Sequence, residues 1–311
     1  MKKEELLSHI GSVEQIGGVK CYTLNDGRAK GVRAVDVNTG EVSFTILLDR
    51  CMDVANASFR GMPVAWISKT GITAPSYYEK DGFGWLRGFY GGLITTCGLD
   101  NIGGPFDEYG LHGRIANTPA SEISVNAEWV GDEYVMTVSG VMRDSVVFGR
   151  NLVLKRTYTA KLFASEFEVC DTVINDGFNP ENFSLCYHCN FGYPLVREGA
   201  KITNVPAEIS EITAPVHNAA EECIPVEYSG EEITTGIENG EIGAYITYRT
   251  NTLPDFLVWK MLGESEYVIG LEPRTSYLGG KSIVDEKKYV TIAPMEEYKT
   301  NLKFSFKKLG E

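Results

Sequence analysis

Apolar and polar side chains alternate along several stretches of this chain, which is the pattern of half-buried β-strands. In residues 42–48, apolar side chains occupy every second position, with Ser and Thr between them. The same period of two recurs at 302–307, and the segments 134–142 and 152–158 are rich in β-branched and aromatic residues. Successive side chains of a strand point to opposite faces, so each stretch predicts a strand with one face in a core.

Turn-forming residues separate these stretches. Gly, Asp and Asn cluster between them, as at Gly131-Asp132 and Asn239-Gly240, and short turns of this composition join antiparallel neighbours. The one convincing helical start is the short segment 3–10. Because strands and helices do not alternate, the sequence predicts an all-β fold, a large antiparallel β-sandwich, and not a parallel α/β sheet.

No internal repeat, low-complexity tract or linker-like stretch marks a domain boundary. A length of 311 residues permits two domains, but a β-sandwich of this size can also be one unit. We therefore predict a single domain over residues 1–311, with a short helical or irregular segment at about 1–12. Residues 71–113, rich in Gly and aromatics, read as a long loop, and long loops in compact domains are usually functional. The acidic segment 208–240 reads as poor in strands.

Charge and cysteine content limit the possible classes of binding partner and the expected cellular compartment. The chain has 29 Lys and Arg against 42 Asp and Glu, a formal net charge of −13, which disfavours nucleic acids and anionic membranes. No stretch approaches the ~20 consecutive apolar residues of a membrane span. The N-terminal residues lack the apolar core of a signal peptide, and the seven scattered cysteines do not resemble a secreted disulfide framework. We expect a cytoplasmic protein; its oligomeric state is left open.

The run Cys186-Tyr187-His188-Cys189 has a spacing that invites a metal interpretation. In a strand, however, Cys186 and Cys189 point to opposite faces, and no second Cys-x-x-Cys follows. We therefore predict no structural metal site. Nucleotide-binding loops, the His-Glu-x-x-His motif and a nucleophile elbow are also missing from the sequence, so no cofactor is expected.

Three segments carry the candidate chemistry. His112 is flanked by Gly113 in a Gly-rich stretch, and His188 shares the polar face of a predicted strand with Ser, Cys and Asn. Glu272 falls near the end of an apolar strand, followed by Pro and Arg274. Taken singly, each has an ordinary interpretation: a surface-loop His, a His bonded within the sandwich, and a strand-terminal acid paired with Arg274.

Together, two imidazoles and a carboxylate suit proton transfer. A His titrates near neutral pH and both donates and accepts protons, and a carboxylate accepts a proton from a hydroxyl. Opening a sugar hemiacetal needs both actions at once: one group takes the proton of the anomeric hydroxyl and another protonates the ring oxygen. The remaining histidines, His9 and His217, lie in a polar terminus and an irregular acidic stretch and are interpreted as incidental.

The order of these motifs resembles the galactose mutarotase (aldose 1-epimerase) superfamily, and more closely a less characterised branch of it. Each motif is weak alone, but their shared order is specific. The matching stretches are 48–54 (LDRCMDV), 85–93 (WLRGFYGGL), 95–99 (TTCGL), 110–114 (GLHGR), 187–192 (YHCNFG) and 270–274 (GLEPR).

The resemblance implies a sugar mutarotase with a concave carbohydrate-binding face. It implies that Glu272 is the general base on the anomeric hydroxyl, that His188 is the general acid toward the ring oxygen, and that His112 hydrogen-bonds the sugar. Typical members follow the catalytic His with Thr and an aromatic residue, whereas this chain has Cys189-Asn190-Phe191, which leaves the sugar preference open. The substrate contacts implied by position within or beside these motifs are Arg50 or Arg87, Trp85, Asn190, Lys260 and Arg274.

Two other classes of function stay open. One is a carbohydrate-binding protein without catalysis, which has no need of a poised acid and base. The other is a metal-dependent sugar isomerase or lyase with His112, His188 and Glu272 as ligands. The sugar is expected to be neutral unless the four arginines of the motif segments (Arg50, Arg87, Arg114 and Arg274) cluster around an anionic group.

Overall fold

The computed structural model describes residues 2–277 and 279–310 and consists mainly of antiparallel β-strands. The predicted all-β fold is confirmed. The strands are β1 (Gly18–Thr23), β2 (Arg33–Asn38), β3 (Val42–Leu47), β4 (Asp53–Phe59), β5 (Met62–Pro63), β6 (Thr95–Leu99), β7 (Ser121–Val130), β8 (Glu133–Ser145), β9 (Asn151–Lys161), β10 (Glu166–Asn175), β11 (Glu181–Gly192), β12 (Lys201–Thr203), β13 (Glu222–Val226), β14 (Glu232–Glu238), β15 (Ile242–Arg249), β16 (Asp255–Gly263), β17 (Glu266–Arg274), β18 (Val290–Ile292) and β19 (Glu297–Lys308).

Helices are few and short. Three α-helices, α1 (Lys3–Leu7), α2 (Ala207–Ser210) and α3 (Lys281–Asp285), are accompanied in the described residues by single 3₁₀ turns. Those turns are Val13–Gln15, Gly27–Ala29, Pro75–Tyr77, Gly84–Gly88 and Ile115–Asn117. None of these helices has the length and apolar character needed to cross a lipid bilayer.

The strands form three sheets. The five-stranded sheet has the order β1-β2-β3-β4-β5, and the eight-stranded sheet the order β12-β14-β15-β19-β10-β9-β8-β7. The six-stranded sheet has the order β13-β16-β17-β11-β18, with β6 also pairing with β11. Most partners in the five- and eight-stranded sheets are joined by short turns, as expected from the Gly, Asp and Asn clusters.

The main core lies between these sheets and is built by the period-two alternation. In β10, Phe167, Val169 and Val173 are buried, whereas Glu166 and Glu168 on the other face of the strand are exposed. The Phe167 ring stacks on Phe304 of β19 with centroids 4.9 Å apart and on Phe44 of β3 at 4.1 Å. One aromatic side chain therefore joins the eight-stranded sheet to the five-stranded sheet.

A buried arginine connects all three sheets. Arg156 of β9 binds both carboxylate oxygens of Asp171 on β10, at 2.8 and 2.6 Å, and Asp53 of β4 at 2.7 Å. It also donates to Thr96 of β6 at 2.9 Å, and the Tyr187 hydroxyl of β11 donates to Asp171 at 2.7 Å. Arg156, Asp53 and Asp171 are fully buried. Since isolated charges are costly in a core, the two carboxylates depend on this guanidinium.

Two segments differ from the sequence prediction. The strand β6 lies inside 71–113, which reads as loop because five residues rich in Gly and Thr show no alternation. The segment 208–240 contains β13 and β14, so the prediction that it is poor in strands is wrong. β13 is an edge strand with exposed polar residues and Pro225, whereas β14 lies between β12 and β15; the Thr and Gly residues of β14 weaken its hydrophobic signal.

We predict that Arg156→Ala lowers the free energy of unfolding by about 3–5 kcal/mol, because it leaves two buried carboxylates without their cation. Urea titration followed by circular dichroism measures the change. The matched control is Arg143→Ala on the neighbouring strand β8, whose exposed ion pairs to Glu122 and Asp176 are worth at most about 1 kcal/mol. Equal losses in the two variants would contradict the role assigned to Arg156.

Candidate active site

Strand pairing brings the candidate acid and base to the same face of the six-stranded sheet. Cys186 of β11 lies opposite Arg274 of β17, and Asn190 lies opposite Gly270. The same register sets His188 opposite Glu272, and side chains of directly opposed residues share a face. On the other face of β11, Tyr187, Cys189 and Phe191 pack in the main core. The prediction that Cys186 and Cys189 point to opposite faces is confirmed, since Cys186 belongs to a separate cluster.

His188 and Glu272 are in direct contact. The His188 Nε2 and Glu272 Oε1 atoms are 3.2 Å apart, and both residues are buried, with 4% and 3% of their surface exposed. The second carboxylate oxygen accepts the thiol hydrogen of Cys186, with Sγ 3.5 Å from Oε2. Gly270 leaves space here, because a Cβ on it would come within 3.2 Å of Glu272 Oε1. The carboxylate is therefore held by one imidazole and one weak thiol donor.

Asn190 fixes the tautomer of His188. Its amide nitrogen donates to two carbonyl oxygens, of Gly92 at 3.0 Å and of His188 at 2.9 Å, so its own oxygen faces the His188 ring. That oxygen is 2.6 Å from His188 Nδ1, which must therefore carry a hydrogen. The other ring nitrogen, Nε2, therefore faces the Glu272 carboxylate.

His112 is held in a strained backbone conformation above this pair. Its φ is +56°, unusual for a residue with a side chain, and its N–H donates to the Gly103 carbonyl at 2.9 Å. The Gly103 N–H donates to His112 Nδ1 at 3.2 Å, which leaves the proton of the neutral ring on Nε2. Gly113 follows with φ +69°, and a Cβ there would lie 2.5 Å from the Gly98 carbonyl. The sequence Leu-His-Gly is thus needed to hold the imidazole in place.

Burial lowers the pKa of His112 to about 3, and the nearby His188 and Arg274 charges lower it as well. Near neutral pH its ring is therefore uncharged and presents an Nε2–H donor. The rings of His112 and His188 meet edge to face with centroids 5.7 Å apart.

Four aromatic residues surround the two imidazoles, and we call Trp66, Trp85, Phe89 and Trp259 the aromatic box. Phe89 and Trp259 contact the His188 ring, with centroids 5.4 and 5.0 Å away. Trp85 stacks on Phe89 at 4.5 Å and packs against His112 at 4.7 Å. Trp85 lies on the 3₁₀ turn Gly84–Gly88, whose outer residues Leu86 and Arg87 are exposed. The aromatic box therefore borders the buried His188–Glu272 pair.

The structure does not bring the other predicted arginines to the pair. Arg50 is 1% exposed, and its guanidinium donates to the carbonyls of Ala116, Thr73 and Gly88, so it holds these loops together. Arg87 is exposed and paired with Glu79 at 3.1 Å. Arg114 is likewise paired with Asp100 at 2.8 Å.

Two further predicted substrate contacts, Lys260 and Asn190, have protein partners in the structure. Lys260 lies opposite Ile269 in the sheet register, and Ile269 is on the face opposite to Glu272. The Lys260 Nζ donates to the Glu211 carbonyl at 3.2 Å. It therefore points to the opposite side of the sheet. Asn190 is fully buried and its amide oxygen and nitrogen both have protein partners, so the structure gives it a role in positioning His188.

Sequence reasoning missed several contributors. Trp66, Phe89 and Trp259 complete the aromatic box, and Gly103 sets the His112 tautomer. Trp259 shares the Glu272 face because it lies opposite Gly270, a fact that depends on the pairing of β16 with β17. Phe89 was within a matching motif but carried no chemical signal of its own.

The described residues gather no set of three His, Cys, Asp or Glu side chains arranged to hold a metal ion. A separate cavity of about 580 Å³ lies against the five-stranded sheet, lined by residues such as Lys20, Asp36 and Ser43, and none of the predicted site residues lines it.

Comparisons with known proteins agree with the fold. Residues 29–306 match the family described as "Domain of unknown function (DUF4432)", and no curated protein sequence matches the chain. A solved structure from Klebsiella pneumoniae, described as a "putative aldose 1-epimerase", superposes with a TM-score of 0.87 at 21% identity, covering 98% of this chain and 86% of that one.

Two more solved structures are similar at lower identity. A galactose mutarotase-like protein from Clostridium acetobutylicum gives a TM-score of 0.66 at 14% identity, over 95% of this chain and 100% of that one. A galactose 1-epimerase from Lactobacillus acidophilus gives 0.63 at 12%, over 94% and 99%. The resemblance predicted from the motifs is thus confirmed at the level of the fold.

We predict that His112 makes folding sensitive to acid. Its pKa is near 6.5 in an unfolded chain and about 3 in the fold, so its contribution to stability is present above pH 6.5 and is lost as the pH falls toward 3. His112→Asn, which tolerates positive φ, removes this term, and the difference between wild type and variant changes by up to about 3 kcal/mol between pH 7 and pH 4.

Urea titrations at several pH values measure this difference, and His9→Gln is the control because His9 is exposed. The interpretation fails where wild type and His112→Asn show parallel pH profiles.

Proposed function

Since the chain belongs to the DUF4432 family and has the fold of galactose mutarotase-like proteins, we propose that it is an aldose 1-epimerase, which interconverts sugar anomers by acid/base ring opening. The observation that carries the proposal is the contact between His188 Nε2 and Glu272 Oε1 at 3.2 Å inside an aromatic enclosure. The contact places an imidazole nitrogen beside a carboxylate, the two groups that the proposal uses as acid and base.

The reaction needs two proton transfers at neighbouring oxygens. The ring oxygen and the anomeric hydroxyl are bonded to the same carbon, so both fit against two groups that touch each other. With His188 protonated and Glu272 ionised, Glu272 takes the hydroxyl proton while His188 Nε2 protonates the ring oxygen. The C1–O5 bond breaks and leaves an aldehyde; after rotation about C1–C2, the reverse transfers close the ring on the other face.

The surrounding residues fit this chemistry. Asn190 accepts the Nδ1 hydrogen of His188 and keeps Nε2 directed at the substrate. His112 stays neutral near pH 7, so it donates a hydrogen bond from Nε2 to a sugar oxygen and is not itself the charged acid. The aromatic box supplies flat apolar surfaces for the C–H face of a sugar and excludes water, which strengthens the electrostatic interactions within.

An acid/base pair in contact favours catalysis over simple sugar binding, since a binder gains nothing from a proton shared at this position. The metal-dependent alternative has no comparable support, because no three-ligand set is found in the parts of the chain that the structure describes.

We predict that Glu272→Gln and His188→Gln each slow anomer exchange by about 10²–10⁴-fold, because each removes one proton-transfer group. Exchange between the α and β forms of a panel of aldoses, measured by NMR above the buffer background, gives the rates. The matched control is Glu266→Gln, on the same strand β17 but partly exposed and paired with Lys69.

The wild-type rate should also be bell-shaped in pH, as expected for one acid and one base. Wild type that binds aldoses without accelerating the exchange of any would contradict the proposal and favour a carbohydrate-binding protein.

We predict that Asn190→Leu, which keeps the branched shape but removes the amide, lowers the maximal exchange rate at least about 10-fold with a smaller effect on KM, because the His188 ring loses its tautomer control. The readout that separates orientation from general damage is the ¹⁵N spectrum of His188, which should show a hydrogen on Nδ1 in wild type and a mixture of tautomers in the variant. An unchanged tautomer together with a lower rate would argue against this role.

A further inference from the structure

Arg274 presents an unmatched charge on the catalytic face. It is 9% exposed and lies two residues beyond Glu272 on β17, so the two side chains share a face. Its Nη2 donates to the Tyr277 carbonyl at 2.8 Å, but its Nε is buried with no hydrogen-bond partner in the described residues. Within residues 2–277 and 279–310 it forms no ion pair, unlike Arg87 and Arg114.

Asp255, an acidic neighbour, does not neutralise this charge by a direct ion pair. Asp255 of β16 lies opposite Arg274 in the sheet register, yet the two form no ion pair. Burial raises the pKa of Asp255, and the nearby Arg274 opposes this rise without cancelling it. A nine-tenths buried guanidinium with an unused N–H is costly, so an acceptor from outside the chain is the physical remedy.

Other unused groups at the site are donors too. The buried indole Nε1 of Trp85 has no partner among the described residues. The His112 Nε2 carries the hydrogen of the neutral ring, because Nδ1 accepts from Gly103. Indole and guanidinium nitrogens only donate, whereas a sugar hydroxyl both donates and accepts. A group made only of acceptor oxygens matches this set best.

The spacing suits a sugar with such a group. Cys97, Cys186 and Arg274 lie in one row across β6, β11 and β17, and the His112 carbonyl accepts from Gly98 beside Cys97. Neighbouring strands are about 4.8 Å apart, so the row spans roughly 10 Å, about the length of a sugar ring with one substituent.

We propose that the substrate of this site is an aldose bearing an oxyanion group, a carboxylate, phosphate or sulfonate, which binds to the unpaired guanidinium of Arg274. The identity of the ligand as an aldose rests on the proposed function, whereas its anionic group does not. It departs from the expectation of a neutral sugar: the four arginines do not cluster, but one buried, unpaired guanidinium is sufficient for one oxyanion. Because the net charge of −13 repels anions, an incidental anion-binding site is less favourable on this protein.

Binding of methyl glycosides, which cannot open their rings, tests the ligand class separately from catalysis. Isothermal titration of the full chain compares methyl glucosides and galactosides with their 6-carboxylate, 6-phosphate and 6-sulfonate counterparts, which distinguishes the three oxyanions. We expect at least one anionic ligand to bind about 10-fold or more tightly than its neutral counterpart, with Arg274→Gln abolishing that preference. Arg249→Gln, an exposed arginine of β15, is the control.

Arg274→Lys keeps the charge and should retain part of the preference if Arg274→Gln fails to fold. On wild type, raising the ionic strength should weaken the anionic ligand and leave the neutral one unchanged. Equal binding of neutral and anionic ligands, or a preference that survives in Arg274→Gln, overturns the inference.

The two proposals fail in distinguishable ways. If the protein exchanges the anomers of neutral aldoses and Arg274→Gln leaves the rates unchanged, the proposed epimerase activity is supported and the proposed anionic substrate is overturned. Anionic binding that depends on Arg274, without exchange of any aldose, supports the ligand class and overturns the epimerase.

Discussion

The guanidinium of Arg156 is the interaction on which the arrangement of the three sheets depends. Its contacts with Asp171 and Asp53 join the eight-stranded sheet to the five-stranded sheet, and Thr96 and Tyr187 add the six-stranded sheet. Buried charges tolerate little displacement, because losing one contact leaves a desolvated ion. Hydrophobic packing alone permits sliding between sheets, whereas this network specifies one relative position.

That position matters because Tyr187 and His188 are consecutive residues of β11. Tyr187 reaches into the core to Asp171, and His188 turns to the opposite face toward Glu272. The period of two that makes a strand amphipathic here separates structural from chemical roles at adjacent positions. A shift of β11 by one residue would exchange the two faces, so the buried ion network also fixes the register of the candidate acid.

The sequence was informative wherever a property depends on neighbours along the chain. Alternation predicted strands such as β3 and β19, and it placed His188 on a polar face. The motif order indicated that His112, His188 and Glu272 belong together, and the structure does bring them together. Other properties depend on strand pairing. Lys260 and Trp259 are adjacent and therefore point to opposite faces, but only the pairing of β16 with β17 shows that Trp259 is the one on the Glu272 face.

Arg50 shows a second limit of the sequence. A charged residue inside a family-like motif reads as a substrate contact, whereas here its hydrogen bonds to loop carbonyls hold the fold. Sequence shows which side chains can form such bonds, but only the fold shows which of them are already used. Asn190 is the same case, since both ends of its amide are occupied.

The site must keep a permanent cation and a proton acceptor on one face without pairing them. A direct ion pair between Arg274 and Glu272 would stabilise the ionised carboxylate and weaken it as a base. The described structure contains no such pair: the second oxygen of Glu272 instead meets the thiol of Cys186, which is only a weak hydrogen-bond donor. Cys97 lies beyond Cys186, so two buried thiols occupy positions where hydroxyls would bond more strongly. The cation remains available to a ligand, and the carboxylate remains available to a proton.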